Sequence, residues 1–295
     1  MQAPVYGMPE AEADVTGLGE RVVPILAGGG GRLSAHIGIL AALEELGVGF
    51  DHLVGVSGGS IVGALYAVGY ELKEVTRIAQ ETDFNQFLDQ SLVSLLRSGG
   101  LSSGDRFEAW MGEKLGHRTF ADLDREFHVV ATDVQTGMPV IFDRQHTPDL
   151  PIAQAIRFSM SIPILFSFKP FKHYLLVDGS ILSEEALQRD WSGRGDPVLC
   201  FRLRGVQQSP PLRSNSWFPL KHYLTLLIRT FMTTMSREYI NDSFWHSTVI
   251  VDTGTISPMD FRLSPAQKKA LFEAGYTTTM RIVPIKLAHK YIGRP

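Results

Sequence analysis

The sequence predicts an α/β protein: three layers, α/β/α, around a mainly parallel central sheet. Two observations carry this. First, a strand–glycine turn–helix unit occurs twice in tandem, over Val22–Leu46 and Leu53–Val68. A strand that returns through a helix to pair with its predecessor builds a parallel sheet with crossover helices. Second, further short apolar runs alternate with helical stretches to the end of the chain, the pattern of layered α/β folds. The 295 residues, 44% hydrophobic and 20% charged, suffice to bury such a core.

The elements follow in order. Val22–Leu26 is a short apolar run that ends in Gly28-Gly29-Gly30-Gly31. Four consecutive glycines do not form a helix or strand interior, so they form a loop where backbone approaches something closely. Ser34–Leu46 places Ile37, Leu40, Leu43 and Leu46 at helical spacing, and Gly47 and Gly49 end it. Leu53–Val56 is the second strand, Ser57–Ser60 a tight turn, and Ile61–Val68 the second helix, closed by Gly69. Glu71–Ala79, Phe84–Leu96 and Asp105–Leu115 read as helices. Phe127–Thr132 and Val140–Phe142 flank the turn Gln135–Met138 as a hairpin. Ile152–Phe158 is a short helix, and Tyr174–Val177 a strand running into Asp178-Gly179. Val198–Leu203 and Thr248–Val251 are late strands, separated by a polar Pro/Ser loop (Ser209–Asn215) and a long helix over Leu220–Tyr239. Ser264-Pro265 opens the last helix, a serine cap followed by proline in the first turn. Residues 1–19 read as a flexible arm and 20–295 as a single catalytic domain.

Composition narrows the partners. The net charge of -3, from 28 basic and 31 acidic residues, argues against nucleic acid. The single Cys200 forms no internal disulfide and fits a reducing compartment. Neither a signal-peptide core nor a membrane-length apolar run is present, and Lys221, His222 and Arg229 break the longest candidate. The expectation is a cytoplasmic protein that meets lipid, if at all, from the water side as a peripheral contact.

Three stretches carry chemistry. Gly55-Val56-Ser57-Gly58-Gly59 matches the G-x-S-x-G nucleophile elbow, a sharp strand-to-helix turn that small neighbours tolerate and that exposes the serine hydroxyl. The following helix aims its N-terminal amides at the site. The bland alternative is a serine in an ordinary βα turn or phosphate loop. Gly28–Gly31 supplies unobstructed backbone amides, an anion cradle that beside Ser57 would form an oxyanion hole, with Arg32 orienting the loop or stabilising charge. A nucleotide loop is the competitor, but the run lacks the P-loop spacing, and Leu33 fails the last position of the dinucleotide fingerprint. None of the nine histidines stands in a context that marks a general base, and His36 falls inside the first helix. Asp178 follows an apolar strand, where α/β folds place functional groups. Burial beside the serine would raise its basicity, although a plain Asp-Gly turn is the alternative.

These three stretches, in this order, resemble the patatin-like phospholipase family, whose members carry a GGGx[RK]G loop, a GxSxG elbow and a DG[GA] aspartate. Val130–Gly137 and Ser159-Met160-Ser161-Ile162-Pro163 are further landmarks, and the similarity is strong from about Val22 to about Asp190. The resemblance implies a Ser57–Asp178 dyad without histidine, with an oxyanion hole from Gly28, Gly29, Gly30, Gly31 and Arg32 and an elbow of Gly55, Gly58 and Gly59. It implies hydrolysis of phospholipids or other lipid esters through an acyl-serine, with no metal and no cofactor. An acyltransferase on the same dyad, or a non-catalytic lipid-binding module, are the alternatives. The chain departs from the family at Leu33, at Ser180 and in Leu182–Ala186, which lacks the usual Asn-Asn-x-Pro. On the substrate side, Trp217 to Met235 offers an acyl-groove wall or a core helix. Phe166, Phe168 and Phe171, with Lys169 and Lys172 between them, suit a strand edge near the mouth, where the lysines could meet anionic lipid.

Overall fold

A computed structural model describes residues 21–88, 94–96, 99–180, 189–205, 223, 226–227, 230 and 246–288. Its centre is an eight-stranded sheet. The strands are β1 (Val23–Ala27), β2 (His52–Val56), β4 (Glu126–Asp133), β5 (Pro139–Phe142), β7 (Lys169–Phe171), β8 (Tyr174–Val177), β9 (Val198–Arg204) and β10 (Thr248–Asp252), in the order β10-β9-β1-β2-β4-β8-β7, with β5 also on β4. The block β10-β9-β1-β2-β4 is parallel throughout. From β4 outwards the pairing becomes antiparallel, to β5, to β8 and from β8 to β7. The sheet is therefore mixed, with its parallel half built by the two tandem units. Two three-residue strands, β3 (Gly100–Ser102) and β6 (Ile164–Phe166), pair separately.

The helices are α1 (Leu33–Glu45), α2 (Gly58–Ala67), α3 (Leu72–Glu81), α4 (Asp105–Lys114), α5 (Ile152–Ser159) and α6 (Pro265–Ala288), and with the sheet they make the three-layer α/β/α architecture. Successive strand residues face opposite layers. Leu26, Leu53, Val129, Ala131, Phe201 and Val251 join the large core shared with the helices. Their neighbours Val23, Ile25, Val54, Val56, Val130 and Cys200 form a smaller cluster with Trp191 on the other face. A strand buried on both faces reads as a continuous apolar run, as β1 does.

The expected helix over Phe84–Leu96 is only partly found. Phe84–Phe87 is a 3-10 turn started by Asp83, whose carboxylate accepts the Asn85 amide. Phe84 and Phe87 turn inward against Phe107 and Trp110 of α4. Residues 94–96 are helical, and the stretch between lies outside the described residues. The expected cap of α6 is present: Ser264 Oγ accepts the Gln267 amide, and Gln267 returns a side-chain oxygen to the Ser264 amide. The N-terminal arm, the Ser209–Asn215 loop and most of Leu220–Tyr239 lie outside the described residues. Among the described residues no helix is long and apolar enough to cross a membrane.

Two glycines let α1 and α6 pack closely. A Cβ on Gly38 would stand 2.1 Å from the Phe272 carbonyl oxygen, and one on Gly275 2.0 Å from that of Ala35. Both obstacles are helix backbone and do not yield. Gly275→Ala is expected to force the helices apart and destabilise the protein by about 1–3 kcal/mol, read as a lower urea midpoint.

Candidate active site

Strand register brings two distant residues together. Val56 of β2 pairs with Val130 of β4, so Ser57 falls at the level of Ala131. Val177 of the antiparallel β8 pairs with Thr132 from the other side, so Asp178 falls at the same level. Their side chains meet there: Ser57 Oγ donates to Asp178 Oδ2 at 2.6 Å. The aspartate thus arrives on an antiparallel strand, and the rule that functional groups gather at the carboxyl ends of parallel strands does not account for its position.

Ser57 sits between β2 and α2 at φ 51°, ψ -126°. A non-glycine residue there costs about 1–3 kcal/mol and persists only where its surroundings enforce it. Enforcement is visible on both flanking peptides. The Ser57 amide donates to Ser159 Oγ at 2.8 Å, and the Ser57 carbonyl accepts from Ser60 Oγ at 2.6 Å. The elbow glycines are required by contact. A Cβ on Gly55 would stand 2.6 Å from Ser60 Cα, on Gly58 2.6 Å from the Gly30 oxygen, and on Gly59 2.1 Å from the Leu26 oxygen.

Ser57 and Asp178 are 0% and 1% exposed. Burial pushes the Asp178 carboxyl above the ordinary aspartate value, opposed by hydrogen bonds from Ser180 and Ser57. The Ser180 amide donates to Asp178 Oδ1 at 2.8 Å. A raised carboxyl is a stronger base for a proton on Ser57 Oγ.

The glycine loop packs directly on the elbow, since the Gly59 amide donates to the Gly28 carbonyl. Its amides do not all face the serine. Gly28 donates to the Val56 carbonyl, Gly31 to that of Pro258, and the Arg32 amide to that of Gly29. Among the described residues the amides of Gly29, Gly30 and Gly58 take no protein acceptor, so the donor set available to an anion is narrower than Gly28 to Arg32. Gly28, Gly29 and Gly30 all have positive φ (67°, 109° and 54°), which only glycine adopts without strain.

The Arg32 side chain braces the loop and does not reach towards Ser57. Nε donates to the Gly29 carbonyl, Nη1 to Thr253 Oγ1 at 2.8 Å and Nη2 to the Leu203 carbonyl. Burial lowers its pKa to about 10, countered by Asp260, so it stays charged at neutral pH. His36 braces the same loop from below. Its Nε2 donates to the Gly28 carbonyl at 2.9 Å, and burial pushes its pKa down to about 4, so the ring is neutral.

A histidine–carboxylate pair does exist, but elsewhere. His128 Nδ1 meets Asp143 Oδ2 at 3.0 Å, with His52 on its other nitrogen. His128 is level with Val54, three residues before Ser57 and so roughly 10 Å along the strand. Among the described residues no histidine hydrogen-bonds Ser57 or Asp178.

Several contacts were not legible in the sequence. The end of α5 joins both halves of the site: Ser159 Oγ donates to the Val130 carbonyl at 2.6 Å, and the carbonyls of Ser161 and Ser159 accept the amides of Asp178 and Gly179. Arg157, 1% exposed, donates to the carbonyls of Ser103 and Ser167 and to Ser161 Oγ. Ile162, Leu165 and Phe166 form a separate small apolar cluster with Leu88, Ile164, Met259 and Phe261. Phe166 and Phe171 lie on strands as expected, and Lys169 is paired with Asp105 at 2.5 Å. Lys172 stands over the Phe171 ring. The segment Leu182–Ala186 and most of the proposed acyl-groove wall lie outside the described residues.

Comparison with known proteins places the chain in a family. The uncharacterized protein YqhO of Bacillus subtilis is 28% identical over 284 residues, covering 86% of this chain and 95% of that one. An uncharacterized NTE family protein of Mycobacterium tuberculosis is 30% identical over 181 residues, 61% of this chain and 30% of the relative. Among solved structures, VipD from Legionella pneumophila superposes with a TM-score of 0.62 at 16% identity, covering 90% of this chain and 67% of its own. ExoU of Pseudomonas aeruginosa, in complex with SpcU, gives 0.55 at 19%, with this chain spanning 52% of its length. At such identities these structures speak for the fold alone. The model of the patatin-like phospholipase family matches residues 25–186, from the strand before the glycine loop to just past the aspartate, and the chain belongs to that family of lipid hydrolases.

Proposed function

We propose that the protein is a serine lipid acyl hydrolase, with Ser57 as nucleophile and Asp178 as general base, acting on phospholipids or other lipid esters. The 2.6 Å bond from Ser57 Oγ to a fully buried carboxylate carries this reading. As Ser57 Oγ attacks the ester carbonyl, its proton passes to Asp178. The carbonyl oxygen becomes an oxyanion held by the amides of Gly29, Gly30 and Gly58. Collapse expels the alcohol, which takes the proton back from Asp178 and leaves an acyl-serine. Water then attacks the acyl carbon, giving its proton to Asp178. Release of the fatty acid returns that proton to Ser57 Oγ. An alcohol in place of water would make the same dyad an acyltransferase.

The test is incubation with a mixed lipid extract, reading free fatty acids and lysolipids by mass, beside labelling with a fluorophosphonate. Wild type is expected to release fatty acid and to label, and Ser57→Ala to do neither. Labelling that survives in Ser57→Ala would refute the assignment. Acyl products that form only with an added alcohol would favour transfer over hydrolysis.

A further inference from the structure

We propose that Ser159 is a positioning residue for the dyad: its hydroxyl holds the nucleophile's own peptide in place while its turn holds the acid. The inference rests on the hydrolase reading above and deepens it. Ser159 is 0% exposed, and its hydroxyl is used in both directions. It accepts the Ser57 amide at 2.8 Å and donates to the Val130 carbonyl at 2.6 Å. One proton and one lone pair thus tie β2 to β4 at the point where the chain turns into the strained Ser57 conformation. The Ser159 carbonyl accepts the Gly179 amide at 3.2 Å, and the Ser161 carbonyl accepts the Asp178 amide at 2.9 Å. Nucleophile and base are therefore suspended from one three-residue turn, besides their bond to each other.

This arrangement also assigns the amides. In the elbow of α/β-hydrolases the residue after the nucleophile supplies an oxyanion donor. Here the nucleophile's own amide is taken by Ser159, which leaves Gly58 for that task. Without the hydroxyl, the Ser57 amide and the Val130 carbonyl are left buried without partners, and the Ser57 peptide is free to rotate towards a relaxed φ. A displaced hydroxyl keeps substrate binding but loses the attack geometry, and a shift on the order of 1 Å costs about 100-fold in rate.

The test uses the full chain. Ser159→Ala is expected to lower kcat and the rate of fluorophosphonate labelling together, about 10- to 100-fold, with KM within about twofold. Ser159→Cys, which keeps a weak donor and acceptor, is expected to fall between. Thr279→Ala removes another fully buried hydroxyl, one that bonds only within α6, and serves as the stability control. It is expected to melt earlier but label at the wild-type rate. Wild-type labelling in folded Ser159→Ala overturns the proposal. If that variant does not fold, wild-type labelling in Ser159→Cys overturns it. Amide exchange at Ser57 separates the two ideas. Should the wild type fail to label at all, the hydrolase reading fails, yet faster Ser57 exchange in Ser159→Cys still upholds the clamp and unchanged exchange removes it.

Discussion

Asp178→Asn is expected to lose turnover by about 10⁴-fold while gaining stability. Both halves follow from burial. The carboxylate is 1% exposed and its pKa is raised chiefly by that burial. A group whose folded pKa is raised contributes stability that is complete below its unfolded value and is lost as the pH climbs through the folded value. Above the ordinary aspartate value the wild type therefore carries the cost of either ionising this desolvated group or holding its proton, a cost the unfolded chain does not bear. An amide of the same shape removes that cost and still accepts the Ser180 amide through its oxygen. It takes no proton from Ser57, so acylation stops. Urea midpoints across the mildly acidic to neutral range check the first half: the wild type should fall with rising pH relative to the variant, starting above the ordinary aspartate value of 3.8. The same ionisation should shape kcat/KM in the wild type, with an acid limb that lies above that value. A variant of equal or lower stability at neutral pH would contradict the account of Asp178 as a strained base.

Gly30→Ala is expected to abolish most activity through the loop rather than the dyad. Gly30 has φ +54°, and a Cβ there would stand 2.1 Å from the Pro258 carbonyl oxygen, which is backbone. The loop has to move. The amide of Gly30 then leaves its place beside Gly58, and loss of one oxyanion donor typically costs about 10²–10³ in turnover. Gly116→Ala is the matched control: φ is +60° and nothing stands within 4 Å of the added methyl. It should cost some stability and leave turnover alone. If both variants kept full activity, the glycine loop would have no part in holding the oxyanion.

The parts of this site that are local in sequence could be read there. The elbow Gly55–Gly59 and the glycine run Gly28–Gly31 announce their conformations because no other residue fits them, and the runs beside them have the lengths of strand and helix. Asp178 could be singled out, but not for the right reason. An apolar run such as Tyr174–Val177 carries no mark of its direction, so the antiparallel entry of β8 was invisible. That direction is what aligns Asp178 with Ser57. The division of labour among the glycines was hidden in the same way, because acceptors such as Val56 and Pro258 are set by tertiary contact. Ser159 lay in a recognised landmark, yet a serine at the end of a short helix looks like any other. Arg157 had no signal at all: its partners, Ser103, Ser161 and Ser167, flank two three-residue strands too short to show a period.

The register around Ala131 has a bearing on how this scaffold accommodates change. Because the Ser57 and Asp178 side chains hang from opposite neighbours of one central strand, the ladder of backbone bonds sets the gap between them. Lengthening the tip at Gln135–Gly137, or the turn at Lys172–His173, adds chain beyond the last ladder rung and leaves that gap as it was. Inserting a single residue inside β8 would slip Asp178 by one rung and turn its side chain to the opposite face. Changes of length are thus open to the hairpin ends, while the spacing of Ser57 and Asp178 is locked within the sheet.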